Sequence, residues 1–253
     1  MSVKQMLIQW LGATNVGRWE YHLRPGLKNV RGGPFNGQTF RRTIFQDLVS
    51  AFDFDAIIET GTYRGITTKY MAAAGLPVHT VEASTRYLAF ARMNFQEFDS
   101  TVESQNGDSR QFLEQLGSRK TVPGTQPFIY LDAHWYNDLP LREELEIVQE
   151  YWPDAVVMVD DFAVPGTNYG YDDYGDGKAL TMEYLSQLHS SQLQAFFPSV
   201  DCDQESGSRR GCVVLGSPTV AEQLRAIGSL RYGGPIAITN ADSGHVDMAK
   251  AVA

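Results

Sequence analysis

Two apolar runs constrain this chain most. "FIYLD" ends at Asp132 and "AVVMVDD" ends at Asp161, and one amphipathic, helix-length segment, "LREELEIVQEYW", lies between them. Neither run alternates apolar with polar, so each is expected to be buried on both faces, as strands of a parallel sheet are. A crossover helix between two such strands is the βαβ unit. The runs nevertheless finish in carboxylates, Asp132, Asp160 and Asp161. Neighbouring parallel strands would bring these acids to one edge.

The same rhythm extends in both directions. Upstream, "TFRRTIFQDLVSAF" has helical spacing, "AIIET" reads as a first strand and "GITTKYMAAAG" as its helix. "VHTVEA" and "TRYLAFARMNFQEF" follow as a second pair, and the weaker "TVESQ" with "SRQFLEQLG" as a third. Downstream, "ALTMEYLSQLHSS" is expected to be a helix, and "LQAFFPSV" with "RGCVVLG" a closing antiparallel hairpin. Strands alternating with helices predict an α/β fold with a mostly parallel, doubly covered sheet. The expected divisions are 1–38, a helix and an irregular loop; 39–216, the α/β domain; and 217–253, a helix plus a tail.

Composition narrows the function classes. The 253 residues carry a formal net charge of -9, which disfavours nucleic acid or an anionic membrane as a partner. No apolar run is long enough to span a bilayer, and the N-terminus is not a good signal peptide. A cytoplasmic location is expected. The two cysteines, Cys202 and Cys212, flank a polar turn and are read as reduced thiols rather than a disulfide framework.

In an open parallel sheet, ligands bind outside the carboxyl ends of the strands. The first strand leads into "ETGTYRG", with spacing E-x-G-x-x-x-G; this is neither the G-x-G-x-x-G dinucleotide fingerprint nor a P-loop. Gly61 and Gly65 permit a tight turn. Glu82, ending the second strand, suits a ribose diol, because a carboxylate accepts two hydroxyl hydrogen bonds. Asp108 and Ser109, opening the helix after the third strand, suit a purine edge. In this order, these residues resemble the class I S-adenosylmethionine-dependent methyltransferases over roughly residues 39–216. The resemblance implies a Rossmann-like, seven-stranded sheet with a reversed last strand. It implies that Glu59, Gly61 and Gly65 line the methionine part of the cofactor, with Thr67 in the same cofactor set. It places Glu82 on the ribose and Asp108 with Ser109 near the adenine.

Three carboxylates converging in one cleft repel one another unless a cation sits among them, and hard oxygen ligands suit Mg²⁺. The competing reading is a set of helix caps and solvated strand ends. The pattern "LDAHW…VVMVDDF" is similar to metal-dependent O-methyltransferases of the macrocin type, which act on sugar or phenol hydroxyls. That resemblance implies Asp132, Asp160 and Asp161 as metal ligands. His134, two residues after Asp132 and so on the same face of an extended segment, is the candidate base. Alternatively it hydrogen-bonds a ligating carboxylate. Tyr169, Tyr171 and Tyr174 alternate with acids and glycines in the loop after the fifth strand, and Tyr169 and Tyr171 are the candidate contacts for a small hydroxylated substrate. "GPFNGQTFRR" is a candidate further wall, where Arg41 and Arg42 would meet an anionic group. The N-terminal segment is a candidate contact between copies. Competing functions are a metal-independent methyltransferase whose aspartates hold an amine, a nicotinamide dehydrogenase, and a non-catalytic cofactor-binding partner protein.

Overall fold

The computed structural model describes residues 10–119, 126–134, 138–188 and 192–237. The first nine residues, His189, and the tail with His245 lie outside them. Five strands form a parallel set: β1 (Ile57–Thr60), β2 (Val78–Glu82), β3 (Val102–Asn106), β4 (Phe128–Leu131) and β5 (Val156–Val159). Three more complete the sheet: β6 (Gln194–Pro198), β7 (Val213–Gly216) and β8 (Leu230–Pro235). The spatial order is β3-β2-β1-β4-β5-β7-β6-β8. β7 runs antiparallel to both β5 and β6, which is the expected closing hairpin.

The two apolar runs are buried on both faces because helices cover both faces. Phe128, Tyr130, Val156 and Met158 point into one hydrophobic cluster, and Ile129, Leu131, Val157 and Val159 into another. The first cluster is closed by α2 (Thr39–Ala51), through Ile44, Phe45 and Leu48, with α3 (Ile66–Ala72) and α8 (Pro218–Arg225). The second is closed by α5 (Ser109–Ser118) and α6 (Leu141–Tyr151). Burial of these apolar faces is what holds helix and sheet together. Among the described residues no helix is long and apolar enough to cross a membrane. Cys202 and Cys212 are buried and unbridged.

Two elements differ from expectation. The sheet has eight strands, not seven, because Leu230–Pro235 adds to β6 as an antiparallel edge. Only Leu230 of that strand is buried, and its two glycines and proline carry no alternating pattern. Glycine and proline are tolerated at an edge, and so the segment is silent in sequence. The helix expected from Ala179 shrinks to one turn, α7 (Met182–Leu185), capped by Thr181. The backbone before it is already engaged: Leu180 donates to Asp172 O at 2.9 Å, and its own carbonyl accepts from Ala163 at 2.8 Å. α1 (Ala13–Leu23) packs on α4 (Thr85–Asn94), where a side chain on Gly17 would collide with the Arg86 carbonyl and where Glu20 pairs with Arg86.

The crossover from β3 to β4 puts the topological switch point between β1 and β4. Thr60 pairs with Leu131, and Leu131 with Val159, so the residues that follow these strands emerge at one edge. Beneath that edge, Glu144 in the first turn of α6 is fully buried, facing the hydroxyls of Ser109 and Thr60. Burial pushes its carboxyl up from 4.5 to about 7, against the opposing pull of the two hydroxyls. A raised folded-state value favours the protonated acid, so this contribution to stability is complete below pH 4.5 and is lost as the pH rises through about 7. Glu144→Gln is expected to remove the part of the stability loss between those pH values that Glu144 causes. Urea denaturation across pH would show a flatter profile for the variant, at about 1.4 kcal/mol per unit of pKa shift relieved.

Candidate active site

The carboxyl edge of the sheet opens into a cavity of about 330 Å³. Its floor comes from the ends of β1 and β2. Glu59 is buried there and accepts from Thr68 Oγ1 at 2.5 Å and Thr80 Oγ1 at 2.6 Å. Burial pushes its carboxyl up to about 7, and the two hydroxyls hold it below a higher value still. Glu82 accepts from the backbone N–H of Tyr63 and of Ser84, each at 2.7 Å. Each Glu82 oxygen keeps a lone pair beyond those bonds. Burial raises its pKa, and the two N–H donors oppose that rise.

The glycines of the first loop serve the packing of the chain on itself. Gly61 lines the cavity and has φ +84°, and a side chain there would collide with the Asp132 carbonyl, so it allows the ends of β1 and β4 to touch. Gly65, at φ +70°, caps α3 in the left-handed conformation, where a side chain would press on Phe95 and Ala91 of α4. Thr67 lines the cavity and its hydroxyl oxygen accepts from Phe35 N at 3.1 Å. Asp108 and Ser109 stand apart from the cavity lining. Asp108 caps α5 and bonds Arg110, which also grips Asp138; Ser109 is buried beside Glu144.

The acids ending β4 and β5 do come together. Asp132, Asp160 and Asp161 place oxygens within 4.8 Å of one another. They are not equivalent. Asp160 has no exposed surface; it pairs with the buried guanidinium of Arg41 and accepts from Asn36 Nδ2 at 3.4 Å. Arg41 also donates to the carbonyls of Arg210 and Gly211, so the anionic group foreseen for it is Asp160. Asp161, at φ +51°, turns the other way and bonds Arg210 Nε at 2.5 Å, while the far end of that guanidinium takes Asp172. Asp132 faces the cavity with no guanidinium at ion-pair distance among the described residues. Burial, and then the charge of Asp161, hold its pKa well above the usual carboxylate range.

His134 has its side chain 1% exposed and lines the cavity, with Nε2 at 3.8 Å from Asp132 Oδ1. Neither ring nitrogen has a hydrogen-bond partner among the described residues. A buried imidazole without partners is rare and expensive. Burial lowers its pKa, opposed by the charges of Asp161 and Asp172, so the ring is neutral at neutral pH.

Of the loop tyrosines, Tyr169 is packed in the core with its hydroxyl donating to Val200 O at 3.4 Å, and Tyr171 is 42% exposed. Neither lines the cavity; Tyr174 does, donating its hydroxyl to Asp172 at 2.5 Å. Tyr174 belongs to the loop foreseen in the sequence, whereas Arg31, Tyr87 and Arg210, which line the cavity from elements distant in the chain, were not foreseen. No local motif marks them.

No protein-family model matches the chain. No curated protein matches it either. Solved structures do. One is the O-methyltransferase TomG from Streptomyces achromogenes, involved in tomaymycin synthesis and solved with SAM. Its TM-score is 0.51, with 19% identity covering 69% of this chain and 76% of that one. An O-methyltransferase from Bacillus cereus in complex with SAH scores 0.53, with 21% identity covering 70% of this chain and 80% of that one. What is shared at these identities is the fold, a Rossmann-like, mostly parallel sheet.

The ion pair between Arg41 and Asp160 yields a test. Arg41→Leu leaves a buried carboxylate unpaired and is expected to cost about 3–5 kcal/mol of stability. Adding Asp160→Leu to that variant removes the orphaned charge and should recover a large part of the loss, read by urea denaturation of the two single variants and the double.

Proposed function

We propose that the protein is an S-adenosylmethionine-dependent O-methyltransferase, assisted by a divalent cation such as Mg²⁺, that methylates a hydroxyl of a small sugar or natural-product molecule. The observation that carries this reading is His134, a buried imidazole beside Asp132 with no hydrogen-bond partner among the described residues, in the same cavity as Glu82. The size of the cavity, at the switch point of a methyltransferase-type sheet, suits small molecules.

The residues fit both groups. Glu82 keeps acceptor capacity for a ribose diol, with its carboxylate aimed by two backbone donors. Glu59, Gly61 and Thr67 border the same space. S-adenosylmethionine, when bound, supplies a methyl carbon whose bond to sulfur breaks as its bond to the acceptor oxygen forms. Asp132 and Asp161 would hold the cation from the cavity side, with Asp160 behind them, fastened to Arg41. The acids here outnumber the guanidiniums that bond them, which suits an added positive charge. A bound divalent cation supplies a Lewis acid that lowers the pKa of a coordinated hydroxyl.

His134 Nε2, on the side of Asp132, accepts the hydroxyl proton as the oxygen attacks. Burial prepares it for this by keeping the imidazole neutral. Tyr174 and Asp172, bonded to each other and to Arg210, form the acceptor-side wall. Positioning of the two reactants by these walls contributes much of the rate.

Calorimetric titration with S-adenosylhomocysteine is the first check. Micromolar binding that Glu82→Ala weakens about tenfold or more is expected, since a carboxylate accepting ligand hydroxyls contributes charge-assisted bonds. A separate Mg²⁺ heat, abolished in Asp132→Asn and by EDTA, is expected for the cation. The absence of any cofactor heat would overturn the methyltransferase reading; cofactor binding without a Mg²⁺ heat would favour the metal-independent one. Once an acceptor is in hand, His134→Ala should cost about 10²–10⁴-fold in kcat. The lowered histidine value predicts that activity persists below pH 6.5 and falls as the ring protonates at lower pH.

A further inference from the structure

Three arginines line the cavity, and two of them are occupied. Arg210 spans Asp161 and Asp172. Arg64 is 5% exposed, stacks over the Tyr63 and Tyr87 rings at 4.6 and 5.0 Å, and turns a guanidinium nitrogen toward Glu20. Arg31 is the third. It is exposed at the cavity mouth, and no carboxylate lies within ion-pair distance of it among the described residues. Among the described residues its one side-chain hydrogen bond is a long one, from Nη1 to Asn36 Oδ1 at 3.4 Å, and its guanidinium lies at the outer reach of the Tyr63 ring, 5.9 Å from the centroid. Yet it lines the same cavity as Asp132 and Asp161, so it stands near the acids without being spent on one.

The loop places Arg31 with care. Arg31 is not a glycine, yet it holds φ +60°, a conformation that costs an ordinary residue of order 1 kcal/mol or more. Gly37 packs against the Arg31 carbonyl, Phe35 N is fixed to Thr67 and Asn36 is fixed to Asp160. Asn36 thus ties the guanidinium on one side to the acid cluster on the other. A planar guanidinium with free donors, held over a ligand cavity, matches an oxyanion bidentately.

We propose that Arg31 is the anion-reading residue of this cavity and receives a carboxylate of the bound ligand. Two sources share that chemistry, the amino-acid end of the cofactor and an acidic acceptor. Both sources rest on the methyltransferase reading; the anion itself does not.

The experiment is calorimetry on wild type, Arg31→Gln and Arg31→Lys, with circular dichroism to confirm that the exposed substitutions leave the fold intact. The probes are S-adenosylhomocysteine, 5'-methylthioadenosine (which lacks the amino-acid carboxylate), inorganic phosphate, and 3,4-dihydroxybenzoate paired with catechol. If the cofactor is the source, Arg31→Gln weakens S-adenosylhomocysteine about tenfold or more and leaves 5'-methylthioadenosine unchanged. If the acceptor is the source, S-adenosylhomocysteine binds both proteins equally. The preference of the cofactor-loaded wild type for 3,4-dihydroxybenzoate over catechol then disappears in the variant. In either case Arg31→Lys retains an intermediate affinity, having the charge without the fork. Arg31-dependent phosphate binding with no binding of either nucleoside would uphold the anion role while overturning the methyltransferase reading. Equal affinities of wild type and Arg31→Gln for every probe, or no binding of any anion, would overturn the proposal.

Discussion

The buried pair of Arg41 and Asp160 is the constraint on which the site depends. Asp160 follows β5 with no access to water, and an unpaired carboxylate there is not tolerable. Its partner comes from α2, more than a hundred residues earlier, and the same guanidinium takes the carbonyls of Arg210 and Gly211 before β7. Gln38 closes the arrangement, donating to the Arg210 carbonyl at 3.0 Å and accepting from its N–H. One charge pair therefore joins the N-terminal segment, the end of β5 and the turn into β7. That turn delivers the side chain of Arg210 to Asp161 and Asp172, and so it also fastens the loop carrying Tyr174.

Given that frame, the acids around the cavity sort by what already satisfies them. Asp160 has a guanidinium, Asp161 shares one with Asp172, Glu59 has two hydroxyls and Glu82 has two backbone donors. Asp132 is the exception; the one nitrogen at ion-pair distance among the described residues is His134 Nε2, at 3.8 Å, on a ring whose pKa burial lowers. A carboxyl without a guanidinium among the described residues, with its pKa raised by burial and then by a neighbouring charge, marks where a ligand contributes most. A structural ion network alone would have paired Asp132 as well.

Much of the fold was legible because burial on both faces leaves an unmistakable signature. β4 and β5 are apolar at every position, and the amphipathic helices between strands show a single apolar stripe. β8 was not legible, because an edge strand with one buried residue makes no demand on composition. The site was legible where it follows directly from strand ends: Glu82, Asp132 and Asp161 all reach the cavity edge. It was illegible where loops decide. Adjacent Asp160 and Asp161 look interchangeable in sequence, but the left-handed φ of Asp161 sends one behind the sheet edge and the other into the cavity. Tyr169, Tyr171 and Tyr174 look alike too, and only the turn held by Asp172 selects Tyr174.

The glycine loop shows why a motif and a mechanism are different kinds of observation. Gly61 and Gly65 are required because the backbone of β4 and the side chains of α4 press against them, and a larger residue fails at both places whether or not a ligand ever binds. Such glycines are required by the architecture and say nothing of the chemistry. His134 is the opposite case. Among the described residues nothing in the packing requires an imidazole with both nitrogens unpartnered, and an apolar residue of similar size would fill the space at lower cost. The cost is explicable when the ring has a partner that arrives from outside the chain, and its position beside Asp132 places that partner at the acceptor oxygen.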